Sequence, residues 1–304
     1  MNLFNSRPKE MYVAYLDLMG FKELTKQNPL GAIEQIQNLQ ETLRNQIDVD
    51  EGIAAAENSS RRHAFHHIIP FSDSIFLTSG KGNGNEFLRK IALFLSGAYC
   101  VTESYFNDPL SLGKPSDVAI THLSLTKNGV KRELNTEYHC PTLFTGGISF
   151  GEVTQMNTKG KFNGEELNYP NLTGYGVVDA VATENRRKSK CQKIYGPCIL
   201  LTKRTLDLLS KDSDPLDSKI FRIISNDLYE FLWPAVTIDP NSPELSRLVS
   251  MFRVASRFVE YYKNENIKLY NHYIGFKRII EESAFILSRE AMEEFKRRTN
   301  GADR

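Results

Sequence analysis

Two aspartates sit where an apolar, β-prone run gives way to a turn. Asp17 closes the run Tyr12-Val13-Ala14-Tyr15-Leu16 and precedes Leu18-Met19-Gly20-Phe21. Asp73 follows His67-Ile68-Ile69-Pro70-Phe71-Ser72 and precedes Ser74-Ile75-Phe76-Leu77. Carboxylates at neighbouring strand ends form a hard-oxygen site suited to two Mg²⁺ or Mn²⁺ ions bound with phosphate. The chemistry of such a site is activation of a hydroxyl nucleophile and neutralisation of a triphosphate. Either aspartate alone could simply cap a helix or close a turn. As a pair in matching settings, Asp17 and Asp73 are read as metal ligands.

Other residues could assist. Gly20, Phe21 and Lys22 open a helix whose backbone N–H groups could hold phosphate, and glycine permits close approach. Phe21 also reads as core packing. Arg186, Arg187, Lys188, Lys190 and Lys193 form a basic cluster. One of them could stabilise a pentavalent phosphate, although a charge run is more often a solvated face. His63, His66 and His67 lack accompanying cysteines, and adjacent strand residues point to opposite faces, so zinc is not expected. The four cysteines, Cys100, Cys140, Cys191 and Cys198, read as free buried thiols.

The elements that must position these groups follow from periodicity. Residues 11–17 read as a buried strand. Ile33, Ile36, Leu39, Leu43 and Ile47 recur at helical spacing. Residues 48–62 read as a loop, 63–70 and 74–79 as a hairpin with Ser72-Asp73 at its tip, and 86–104 as an apolar helix. In that helix Phe87, Ile91, Phe94, Leu95 and Ala98 face inward. Residues 107–139 read as a polar insertion with room for a small hairpin. Residues 142–150 read as a strand, 158–173 as turn-rich chain, 174–187 as a helix, 196–202 as a strand and 203–211 as a short helix. Phe221–Ile224 and Leu228–Trp233 pair as a hairpin. Ser242-Pro243 is a helix start, and helices follow at about 266–285 and 288–298. The order predicts an α+β fold with a mainly antiparallel sheet over 1–236 and a helical extension over 237–304.

The bulk properties exclude several classes. A net charge of +1 gives no basic field for nucleic acid. The N-terminal stretch lacks the apolar segment of a signal peptide, and no apolar run is long enough to span a bilayer. The expectation is a cytoplasmic protein with no membrane or nucleic-acid partner.

Four segments resemble class III nucleotidyl cyclases, in family order over roughly residues 9–236. They are Asp17-Leu18-Met19-Gly20-Phe21, Phe71-Ser72-Asp73-Ser74, Gly146-Gly147-Ile148-Ser149-Phe150-Gly151-Glu152, and Gly174 through Glu184. The subgroup most similar is the bacterial pyrimidine cyclases of Pycsar anti-phage systems. That resemblance implies a ferredoxin-like palm and a homodimer with composite active sites. It also implies conversion of UTP or CTP to the 3′,5′-cyclic monophosphate, with UTP ahead, and a downstream cyclic-nucleotide effector. The chain departs from the family at several places. Val178 and Ala182 stand where purine cyclases carry asparagine and arginine, and Thr145 replaces an arginine. The purine-reading positions fall on Ile69 and Asn171, read here as lining the base pocket. With that family arginine absent, a member of the basic cluster, Arg186, Arg187 or Lys193, is expected to stabilise the transition state in its place. The resemblance leaves two alternatives: a purine cyclase, or a degenerate module that binds nucleotide without turnover.

Overall fold

The computed structural model describes residues 7–27, helical positions between 29 and 47, and residues 65–99, 116–126, 129–139, 142–162, 165–188, 193–236, 245–287 and 289–299. In chain order the elements are β1 (Lys9–Leu18), α1 (Phe21–Gln27), β2 (His67–Phe71), β3 (Ser74–Gly80), α2 (Gly84–Tyr99), β4 (Ser116–Thr126), β5 (Gly129–His139), β6 (Phe144–Phe162), β7 (Glu165–Thr173), α3 (Tyr175–Asn185), β8 (Ile199–Thr202), α4 (Lys203–Leu209), β9 (Phe221–Ser225), β10 (Leu228–Phe231), α5 (Trp233–Val236), α6 (Ser246–Tyr262), α7 (Ile267–Leu287) and α8 (Arg289–Thr299).

Strand order in the main sheet is β2-β3-β1-β6-β8-β10-β9, with β7 paired to the far half of β6. β1 runs antiparallel to both β3 and β6, and among the described residues only the β6–β8 pair is parallel. Its first four strands, taken with α1 and α2, make the ferredoxin-like split β-α-β. The expected α+β architecture with C-terminal helices is therefore the one this chain adopts.

Parity along β1 divides the interior into two layers. Tyr12, Ala14, Leu16 and Leu18 enter a large core, whereas Met11, Val13 and Tyr15 face a smaller one beneath α3. The large core takes in α2, through Phe87, Ile91, Phe94, Leu95 and Ala98, and continues into Phe252, Phe258, Phe276 and Phe295 of the C-terminal helices. No helix among the described residues is long and apolar enough to cross a membrane.

Three sequence expectations change. The stretch 158–173 is not turn-rich chain: β6 runs on to Phe162 and returns as β7, in register from Thr154↔Thr173 to Phe162↔Glu165. A two-stranded ribbon rich in polar residues has no sustained apolar alternation to announce it. Ile33 is 55% exposed, while Ala32, Gln35, Leu39 and Leu43 are buried. Ile33 lies about 100° around the helix from that stripe, and the Gln35 amide donates to Thr142 Oγ1 at 2.6 Å, holding the stripe inward. Trp233 begins a helical turn rather than ending a strand. The hairpin allowed for in the 107–139 insertion is present as β4–β5. The loop at 48–62, the helix end at 100–104, His63, Cys100, Cys140, Cys191 and the Ser242-Pro243 helix start lie outside the described residues. Cys198 is a free, buried thiol, and burial pushes its pKa up to about 12.

Candidate active site

Because parity alternates, Asp17 shares its face with Tyr15, Val13 and Met11, the face covered by α3. In register beside it stand Ser74 on β3 and Thr145 on β6. Asp17 Oδ1 accepts a hydrogen bond from Ser74 Oγ at 3.0 Å and a longer one from Tyr15 OH at 3.4 Å. Asp73 ends the β2–β3 turn, where Ser72 adopts a left-handed φ of 57°. The turn is bonded to β1 by Leu18 N–H donating to the Asp73 carbonyl at 2.9 Å, and Met19 N–H bonds Leu143 O at 2.8 Å. The first of these bonds ties the Asp73 turn to the end of β1, and the Asp73 charge is felt at Asp17. Gly20 follows with φ 79°, a conformation that favours glycine and reverses the chain into α1.

The row of β6 that shares this face is Thr145, Gly147, Ser149 and Gly151. Its small side chains let α3 lie against the strand. A Cβ on Gly147 would stand 2.6 Å from the Glu184 amide nitrogen, and one on Gly151 would stand 3.0 Å from Gly176 N. Ser149 Oγ donates to the Gly176 carbonyl. The glycine spacing of this segment is thus a docking row, and its product is the placement of Glu184.

Glu184 is 2% exposed and fully partnered. It accepts from Thr145 Oγ1 at 3.1 Å and from Arg187 Nε, and Lys188 Nζ lies 3.7 Å from its second oxygen. A buried carboxylate needs such pairing. Burial is the main cause that pushes the Asp17 carboxyl above the usual carboxylate range. The Ser74 hydrogen bond opposes it, the charges of Asp73 and Glu184 add to it, and Arg187 offsets part. The carboxylates of Asp17, Asp73 and Glu184 thus act on one another here, with Arg187 offsetting part of their charge.

That donor set fits a hard divalent cation. Among the described residues no group of three or more His, Cys, Asp or Glu side chains is placed to hold a metal. Two carboxylates leave coordination positions open to phosphate and water, as magnesium sites commonly do.

Other sequence candidates are spread more widely. Arg187 lies at the site, 16% exposed and bonded to Glu184. Arg186 points elsewhere, pairing with Asp227 at 3.0 Å. The Lys193 ammonium sits over the Tyr195 ring at 5.0 Å. Phe21 packs on the large core and Lys22 is exposed. Ile69 is buried on β2 opposite Phe76, and Asn171 is exposed on β7 opposite Met156. Val178 is 65% exposed. Sequence reasoning did not assign Tyr15 and Ser74 to Asp17, nor Thr145 and Arg187 to Glu184. Two signals pointed to them: Tyr15 has the parity of Asp17, and Arg187 is one helical turn beyond Glu184.

No protein-family model matches the chain, and no curated protein matches it. Among solved structures, the chain is similar to a bacterial light-regulated adenylyl cyclase, with 13% identity and TM-score 0.43 over 84% of this chain and 59% of that one. It is also similar to the guanylyl cyclase Cya2, with 14% identity and TM-score 0.42 over 74% and 93%. A third similar structure is the adenylyl cyclase CyaB from P. aeruginosa, with 14% identity and TM-score 0.32 over 74% and 94%. The chain spans 59% of the length of the first of these. At such identities and TM-scores, a functional reading rests on the side chains of the site, not on the likeness.

Proposed function

We propose that this protein is a class III nucleotidyl cyclase that converts a pyrimidine nucleoside triphosphate, UTP ahead of CTP, to the 3′,5′-cyclic monophosphate and pyrophosphate. The observation that carries the reading is the Asp17–Asp73 pair, set at neighbouring strand ends that the Leu18–Asp73 backbone bond joins, and backed by buried Glu184. The substrate's 3′-oxygen loses its proton to water and bonds the α-phosphorus. The bond from that phosphorus to the β-bridging oxygen breaks, and pyrophosphate leaves. Two Mg²⁺ or Mn²⁺ ions, when bound, would supply charge neutralisation and hydroxyl activation. Asp17 and Asp73 would hold them, with Ser74 and Tyr15 orienting the Asp17 carboxylate. The backbone at Gly20, Phe21 and Lys22 would face the outer phosphates. Arg187 would screen Glu184 and the developing charge, Arg186 and Lys193 would act from the basic face, and Ile69 and Asn171 would line the base pocket.

The homodimer with composite sites, the division at 236/237, the cytoplasmic setting, the diffusible messenger read by a downstream effector and the role in anti-phage defence belong to the same proposal, on the resemblance of the four motifs. A second reading, nucleotide binding without turnover, is favoured by one observation: Arg187 is engaged within the chain, while Val178 and Ala182 present no polar group.

The test is incubation with Mn²⁺ and each of the four NTPs, with products resolved by HPLC and mass spectrometry and Asp73→Ala as control. Cyclic UMP or CMP, absent with the variant, is the expected result. Cyclic AMP or GMP would transfer the assignment to a purine cyclase. No product from folded protein would leave the binding reading.

A further inference from the structure

The helix α7 belongs to the C-terminal extension, yet it touches both sides of the candidate site. At its first turn Asn266 Oδ1 accepts from the Lys268 and Leu269 amides, each at 3.1 Å, fixing where the helix begins. Leu269 is seated on the turn that follows Asp17: its Cδ2 lies 3.3 Å from where a Gly20 Cβ would be. Six residues on, Gly275 meets the segment 193–198. A Cβ on Gly275 would stand 2.6 Å from the Tyr195 carbonyl carbon and 2.8 Å from Gly196 N. Gly196 has φ 99°, and its own Cβ would stand 2.8 Å from the Gly275 carbonyl carbon. A glycine inside a helix is unfavourable relative to alanine, so this close backbone contact is the physical reason for its presence.

The 193–198 segment leads back to the carboxylates. Ile194 N–H donates to the Arg187 carbonyl at 3.1 Å, and Gly146 N–H donates to the Cys198 carbonyl at 2.9 Å. Arg187 in turn bonds Glu184 beside Asp17. Buried His272 lies between the two contacts, its ring 6.2 Å from that of Tyr195. Beyond them α7 is anchored to α5 and to β10. Phe276 stacks on Trp233 at 5.7 Å, and Arg278 reaches the fully buried Glu230 at 3.0 Å. The six residues from Leu269 to Gly275 advance about 9 Å along the helix axis, which sets the distance between its two contacts.

We infer that α7 is the positioning element of the active site: Leu269 holds the turn that follows Asp17, and Gly275 holds the 193–198 segment that bonds the Arg187 backbone, at a set separation. Leu269 and Gly275 are positioning residues, and the inference rests on the cyclase reading only for its activity arm.

Leu269→Ala, the milder Leu269→Val and Gly275→Ala are compared with Phe285→Ser, on the same helix at a residue 69% exposed. Hydrogen exchange follows the Leu18, Met19 and Ile194 amides, whose bonds close the two sides. Both Leu269 variants should speed exchange at Leu18 and Met19, and Gly275→Ala should speed it at Ile194. Phe285→Ser should change none of these. If the parent protein makes cyclic nucleotide, kcat/KM should fall roughly tenfold or more in Leu269→Ala and Gly275→Ala, with KM rising for the Leu269 variants. If it makes none, the cyclase reading fails and the exchange result still decides the role of α7. Unchanged exchange in the folded Leu269→Val and Gly275→Ala proteins, or the same change in Phe285→Ser, would overturn the inference.

Discussion

Replacing Gly147 with alanine probes how closely α3 is held to the sheet, and through it the carboxylate site. Gly147 lies mid-strand in β6, where alanine would ordinarily help by roughly 0.5–1 kcal/mol through chain entropy. Here the added Cβ would stand 2.6 Å from the Glu184 amide nitrogen and 3.1 Å from Thr183 Cβ, and closer still to the Ala180 carbonyl oxygen. The nearest of these atoms are helix backbone, so no side-chain rotation relieves the clash. The helix must retreat by roughly 1 Å to restore ordinary contact. Overpacking of this kind costs about 1–3 kcal/mol, and loss of the Thr145–Glu184 hydrogen bond adds about 1 kcal/mol. After the entropy gain, the net expectation is a loss of about 2–3 kcal/mol. For a chain of this size, that is a fall in Tm of about 3–5 °C. Thermal and urea unfolding followed by circular dichroism read the first number. Cyclisation should fall about a hundredfold, because displacement on the ångström scale at a reacting centre costs that much. A Tm equal to or above the parent's would mean that α3 does not dock on the Thr145–Gly151 row, and the account of Glu184 would fall with it.

Asp17→Asn keeps an acceptor for Ser74 but removes a charge that sits among Asp73 and Glu184. It should abolish product formation yet raise stability in EDTA by about 1 kcal/mol; a lower Tm than the parent's would contradict the crowding of charge. His67 is half-buried, with Nδ1 2.8 Å from Thr78 Oγ1, and burial holds its pKa below the usual 6.5. Between 6.5 and that lower folded value the unfolded chain binds a proton that the folded chain does not, so stability should decline as pH falls through this window and be unaffected by His67 above it. His67→Gln should flatten that part of the urea-midpoint profile, and an unchanged slope would count against it. Arg278→Met leaves fully buried Glu230 with Arg222 alone. It should cost about 3 kcal/mol in chemical unfolding, whereas Glu230→Gln/Arg278→Met together should recover part of the loss.

Much of this molecule was legible locally. Apolar runs broken by aspartate and a turn announce β1 and the β2–β3 hairpin, and the inward stripe of α2 follows from helical spacing alone. Asp17 and Asp73 could be singled out because strand-end placement is a property of a few consecutive residues. The glycines of β6 could be recognised as a motif, but not as a docking row, since their meaning lies in the backbone of α3 some thirty residues away. The β6–β7 ribbon was missed because its polar residues carry no period. Ile33 was misassigned because apolar character does not say which face of a helix meets the sheet. Whether Arg187 is free or bound to Glu184, which hydroxyls steady Asp17, and why a helix of the C-terminal extension carries Gly275 are matters of contact between distant segments. Composition and periodicity describe one segment at a time, whereas register, parity and close backbone approach exist only once segments are paired, and those decide the charge around Asp17.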